Sequence, residues 1–342
     1  MPAGARQQVF LFLSLFFFQA AVAAPVSSSD HDRILEALDW MHSTPASASA
    51  QYDYVMTARV RLLLFWVGKD DVGEGYIRHG LAHDDPKLEF IQVLFGSDPA
   101  RAPRAINRWG AGTEVQWHSE APASLAAAAT SPVSSSAFFG FMKSSKGQSV
   151  NEMQDELKKE GQNGEHLFTG IVSYVSSGRA LSSVAPLASS TDFNLHQYQT
   201  AEPVVYDKLK QADRPIKFLD ASSCPRNAQF LGTLSELIAA ALNGVSKRSL
   251  CYAYDSKLEV LTLQHAARVK SAAVKVKSTA GQVLIERNYG NLLEAEFESS
   301  EPATGKKTDF TLLLGTDGAQ RGVPIQVRYQ PNWWFQVVLN LK

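Results

Sequence analysis

The chain has 342 residues, an apolar fraction of 45% and a formal charge of −1, so a globular core is affordable and no global basic field exists to attract a nucleic acid. A mature chain of roughly 320 residues exceeds one ordinary core, which predicts one large unit or two intimate ones. Two cysteines and no cofactor or catalytic signature leave address and architecture as the most legible properties.

Residues 1–23 read as a cleavable secretory signal. A short basic start ending at Arg6 precedes the apolar run 9–18, and Ala21 and Ala23 supply small residues at the −3 and −1 positions. A membrane anchor would want about 20 apolar residues, about twice what is present. Removal of this segment leaves no apolar run of spanning length, and the address is periplasmic or secreted. Residues 24–51 then form a tether and a short amphipathic helix over 31–41, with Asp30 as its N-cap and Ile34, Leu38 and Met41 on one face.

Residues 52–118 read as an N-terminal β-meander. A long strand is expected over 52–67, with the apolar run 62–67 inside it, followed by strands over 73–78, 88–95 and 114–118. Residues 101–109 are a short helix or an ordered loop. Residues 119–250 are mixed. An Ala/Ser/Pro-rich surface loop over 120–136 leads to a buried strand over 138–142. A helix over 150–159, a strand over 166–174, a Ser-rich stretch over 176–191 and helices over 202–211 and 231–242 follow. Asn243-Gly244 caps the last helix.

Residues 251–342 alternate with period two, which predicts about six antiparallel strands. Leu293, Ala295 and Phe297 oppose Glu294, Glu296 and Glu298, while Ile325, Val327 and Tyr329 oppose Gln326, Arg328 and Gln330. A last strand over 333–341 puts Trp333 and Trp334 on opposite faces. The expected fold is α+β: a large curved antiparallel sheet or half-barrel with a few packing helices, in which 52–118 and 251–342 share one core.

The closing block Gly322-Val323-Pro324-Ile325, continuing to Tyr329-Gln330-Pro331-Asn332-Trp333-Trp334-Phe335, resembles the end of uncharacterised exported bacterial proteins, themselves similar to the half-barrel lipoprotein carriers of the cell envelope. The likeness covers the last quarter of the chain. It implies a sheet folded around a helix or an apolar ligand, and it transfers no functional residue.

Four groups of residues could carry chemistry. His79, His83 and Asp84 place two imidazoles and a carboxylate within one short segment, a possible set of metal ligands, although Gly80 and the Asp84-Asp85-Pro86 sequence read as a solvated loop. Arg101, Arg104 and Arg108 would gather on one face of a helix as a clamp for phosphate or carboxylate, or pair with Asp98 and Glu114. Trp333 and Trp334 offer an apolar patch for a ligand or partner. Cys224 and Cys251 read as one disulfide in an oxidising compartment, closing a loop worth about 3 kcal/mol, with two buried thiols as the alternative. Ser97 sits in a turn-like Gly-Ser-Asp-Pro sequence, and Glu294, Glu296 and Glu298 look like a solvated strand face.

The expectation is therefore a binding or carrier module for an apolar small molecule or lipid. A structural or assembly component with an envelope protein partner, and an envelope-acting hydrolase, are the alternatives. No cofactor and no nucleic acid are expected.

Overall fold

The computed structural model describes residues 32, 39, 50–62, 65–82, 85–128, 131–143, 166–176, 179–211, 216–220, 222, 224–230, 234–254, 257–277 and 284–342. The signal segment 1–23, the helix expected over 150–159, and His83 and Asp84 lie outside the described residues.

Among the described residues fifteen strands form one sheet. In chain order they are β1 (Ala50–Leu62), β2 (Phe65–Leu81), β3 (Leu88–Ser97), β4 (Trp109–His118), β5 (Val133–Met142), β6 (His166–Ser176), β7 (Arg179–Ser189), β8 (Lys217–Asp220), β9 (Ala228–Phe230), β10 (Ser249–Tyr254), β11 (Lys257–Lys277), β12 (Leu284–Ser300), β13 (Lys307–Gly315), β14 (Pro324–Asn332) and β15 (Phe335–Leu341). Their spatial order is β8-β7-β6-β5-β4-β3-β2-β1-β15-β14-β13-β12-β11-β10-β9. Every neighbouring pair is antiparallel except β9 with β10. The two meanders are joined in mid-sheet, where Tyr54 of β1 faces Leu341 of β15 and Met56 faces Leu339.

Helices α1 (Leu125–Ala128), α2 (Tyr198–Gln211) and α3 (Leu234–Leu242) accompany the sheet. Among the described residues no helix is long and apolar enough to cross a membrane. Helix α2 and α3 lie on opposite faces. Ala201, Val205 and Leu209 of α2 pack on Phe139, Phe141, Phe168 and Leu187. Trp109 meets Phe141 edge-on at 5.3 Å, and its indole N–H donates to the Phe193 carbonyl at 3.1 Å. Leu237, Ala240 and Ala241 of α3 pack on Leu250, Leu261, Leu263, Leu293, Ala295, Phe297, Leu312 and Leu314. Following the cross-strand pairs from Phe297 through Leu312, Val327, Leu339 and Met56 to Gly73 and Ser97 keeps to one face. That face arrives at β3 on the side away from Phe90 and Leu94, which serve the α2 core.

The sheet coils until its ends touch. Val175 of β6 and Ala180 of β7 share a cluster with Cys251 and Ala253 of β10 and Leu258 and Val260 of β11. Cys224 and Cys251 are bonded across this seam, with Cα atoms 6.1 Å apart. The long β11–β12 hairpin also bends. Asn291 takes a positive φ of 52°, and its carbonyl accepts from the Thr316 N–H at 3.0 Å. Beyond that point Val274 and Val276 fold over Leu313 and Ile325. The sheet is therefore apolar on both faces here, a result that simple one-face alternation does not anticipate.

Several sequence expectations change. The strand drawn over 52–67 is two strands, because the chain reverses between Leu62 and Phe65, which face each other. The Ser-rich stretch 176–191 contains β7, where Ser182 and Ser183 are fully buried. Residues 133–136, assigned to a loop, begin β5. The strand expected from Trp333 starts at Phe335, since Trp333 and Trp334 make the turn between Asn332 and Phe335. Ile325 and Val327 do not share a cluster, because a bulge opposite Leu313 and Leu314 intervenes. Helix α3 ends as anticipated: Gly244 has φ 75°, its N–H donates to Ala241 O, and the Val245 N–H donates to Ala240 O, the paired bonds of a left-handed helix cap. Asp32 and Asp39 are helical, and Asp39 accepts from the Tyr206 hydroxyl and from Lys210 Nζ at 2.7 Å, which docks it on α2.

Candidate functional site

The face that α3 covers combines an apolar bed with a buried polar group at its far side. On β3, Glu89 alternates with Leu88 and Phe90 and so points to the side opposite the α2 core. Its side chain is almost wholly inaccessible. One carboxylate oxygen takes His79 Nε2 of β2, and the other takes His118 Nε2 of β4 at 2.9 Å. His118 Nδ1 faces the Ser131 carbonyl at 3.3 Å, so both nitrogens of that ring are engaged. Beside them Gln116 donates to Glu114 at 2.9 Å. Burial raises the Glu114 carboxyl above the ordinary glutamate range; the Gln116 amide opposes this, and Glu89 adds to it.

Glu236 of α3 extends toward the same region. Burial raises its carboxyl; the Arg248 guanidinium, 3.2 Å away, opposes the rise, and the fields of His118 and Glu89 also reach it. A helix packed on β10–β13 thus lies within electrostatic range of β3 and β4, which means the sheet wraps around α3. Chemically, the bed offers apolar contact from Leu and Phe side chains, and the His79–Glu89–His118 group offers a hydrogen-bonded polar cluster centred on the buried Glu89 carboxyl. Among the described residues no three His, Cys, Asp or Glu side chains gather as a metal centre needs.

The residues singled out from sequence do not converge. His79 belongs to strand β2 and not to a loop, and its partner is Glu89. Arg101 is held by Asp98 at 2.6 Å, by Asp71 and by Glu74 at 3.3 Å, an acidic pocket that occupies its guanidinium. Arg104 is exposed, with φ 55° inside the single turn Pro103–Ala105, and Arg108 N–H donates to Ser97 Oγ at 2.8 Å. The segment is an ordered loop, so the helical spacing that would have aligned three guanidinia does not apply. Ser97 Oγ also donates to the Ile106 carbonyl at 2.7 Å, a structural role. Glu294 pairs with Arg328, and Glu298 with Lys307 at 2.9 Å.

Trp333 is 68% exposed at the β14–β15 turn, and Trp334 leans on Phe335 with centroids 5.8 Å apart. The Trp334 carbonyl accepts from the Arg61 N–H at 2.8 Å, which sets this turn beside the tip of the β1–β2 hairpin. Sequence reasoning missed both Glu89, whose partners lie on two other strands, and the pairing of the two tips. The sole signal for the first was a glutamate at a position flanked by Leu88 and Phe90. Comparison with protein-family models, with curated proteins and with solved structures finds no match in any of the three.

Proposed function

We propose that the chain is an exported binding module that carries an apolar-tailed ligand on the sheet face beneath α3, in a half-barrel arrangement like that of envelope lipoprotein carriers. One observation carries this reading: a short helix, nine residues long, covers a bed of eight buried apolar side chains. A helix of that length has little intrinsic stability, so its position depends on packing. It lies in the bed as an acyl chain would, and its displacement would uncover a contiguous apolar surface. The secretory signal read at residues 1–23 and the cysteine pair support an oxidising compartment outside the cytoplasm.

Extraction and mass analysis of protein purified from its own compartment tests the reading. The expected result is a stoichiometric amphiphile, lost when Leu237→Glu keeps a charge in the bed. A ligand-free protein that also fails to bind a fluorescent fatty acid would overturn it. A hydrolase is less well supported, since both Nε2 atoms of the His79–Glu89–His118 group turn to a carboxylate and not to a hydroxyl.

A further inference from the structure

We propose that the paired tips of the β1–β2 and β14–β15 hairpins are a docking surface for an anionic lipid bilayer. Val60 faces Phe335 across the β1–β15 ladder, and Arg61 N–H binds the Trp334 carbonyl, so the end of β1 lies beside the Trp333-Trp334 turn. Their side chains are unusually bare for aromatic and aliphatic residues: Phe65 is 72% exposed and Val67 54%, with Trp66, Val60 and Trp333 also exposed. Val60, Phe65 and Val67 share one face of the β1–β2 ribbon, with Trp66 on the other beside Arg61, and clustered apolar exposure of this kind marks an interaction site.

Charge identifies the partner. From residue 58 to 69 and from 331 to 337 the sequence contains Arg59, Arg61 and Lys69 and no acidic residue. The next acid along the chain, Asp70, is taken by Lys275 Nζ at 2.6 Å and Thr57 Oγ1 at 3.0 Å and lies in the field of Arg59, while exposed Glu286 sits opposite Lys275 on β12. The Asp70–Lys275 ion pair also brings the β11–β12 hairpin, with exposed Ile285, against β2. Aromatic rings with adjacent cations suit the headgroup boundary, where Trp buries its ring and Arg reaches phosphate. A second copy of the chain would set like charges against each other.

This surface does not depend on the carrier reading, since docking can occur without a ligand under α3. The test is co-sedimentation of the mature chain with phosphatidylcholine vesicles, with and without phosphatidylglycerol, together with tryptophan emission. Binding and a blue shift are expected on the anionic vesicles alone, weakening with salt. Arg59→Gln with Arg61→Gln should reduce partitioning about fivefold per charge. Phe65→Ser with Trp333→Ser should reduce it on the order of tenfold. Phe65 and Trp333 are exposed and Arg59 and Arg61 are half-buried, and an unchanged thermal transition shows that each variant is folded. Absence of binding, binding by either double variant as strong as the parent's, or a dimer that Trp333→Ser dissociates would each overturn the proposal.

Discussion

Glu89 and His118 meet on neighbouring strands with Oε2 and Nε2 2.9 Å apart, in a position from which solvent is excluded on both sides. A buried carboxylate between two imidazoles is costly to break from either end, because the partner left behind has no water to turn to. Glu89→Ala is expected to cost about 3–5 kcal/mol in urea unfolding. Glu89→Gln retains one acceptor and should cost less, about 1–3 kcal/mol. Equal small losses for both would show that the histidines find other partners.

The neighbouring Glu114 predicts a pH effect of definite sign. Its folded value is raised above the ordinary 4.5 by burial, so the folded state holds the proton more tightly than the unfolded chain. The stabilisation present at low pH is lost as pH climbs from the unfolded value through the folded one. Glu114→Gln removes that loss and keeps an acceptor for Gln116. Its melting temperature should therefore exceed that of the parent at pH 8, and the gap should close below pH ~4. A gap that widened on acidification would refute the assignment.

Asp98 behaves in the opposite sense. Burial alone would raise its carboxyl, but donation from Arg101, the Ala100 N–H and His196 outweighs burial and holds it below its ordinary 3.8. Its contribution is complete above that value and disappears as pH falls through the lower folded value. Asp98→Asn should destabilise by about 1.5–3 kcal/mol at pH 7, with the difference shrinking in acid. Paired melts across that range would measure it.

Two glycines separate space from composition. A Cβ on Gly73 would lie 1.9 Å from the Gly96 carbonyl oxygen, whereas one on Gly290 would meet nothing nearer than the Lys270 carbonyl at 3.8 Å. Gly73→Ala should cost about 1–3 kcal/mol or more, and Gly290→Ala should be neutral or gain a few tenths, on the order of 0.4 kcal/mol. Denaturant midpoints of the two variants suffice to compare them.

Cleaving the Cys224–Cys251 bond, by Cys251→Ser or by reductant, should remove about 3 kcal/mol. Because the bond crosses the seam where the coiled sheet meets itself, protease sensitivity should appear first around β8 and β9. Unchanged stability after reduction would mean that the apolar seam closes without it.

How much of this was legible depended on where each residue's partners lay. The β12 alternation from Leu293 to Glu298 could be read locally, because each side chain's fate follows from its parity. The Cys224–Cys251 pair could be inferred from the number of cysteines and the export expected from residues 1–23. Strand β7 could not, since Ser182 and Ser183 are buried, the Ser182 hydroxyl donating to the Val172 carbonyl at 3.4 Å, in a stretch whose polar composition reads as loop. The reversals at Leu62–Phe65 and Trp333-Trp334 carry apolar residues in place of Gly, Asn or Asp, so ordinary turn chemistry gave no warning. Glu89, finally, is defined by His79 and His118 on separate strands, a relationship that no spacing along the chain encodes.

The pairing of β1 with β15 places the earliest and latest strands at the centre of the ladder. A chain delivered from its N-terminus can assemble β1 to β8 as a local meander, yet Tyr54 and Met56 keep an open hydrogen-bonding edge until residues 335–341 arrive. Completion of the ladder at β1 therefore waits on residues 335–341, and loop closure over all the strands between makes that step slow. During the wait the bare edge of β1 is the molecule's principal exposure to misassembly, and whatever shields it sets the yield of folded protein.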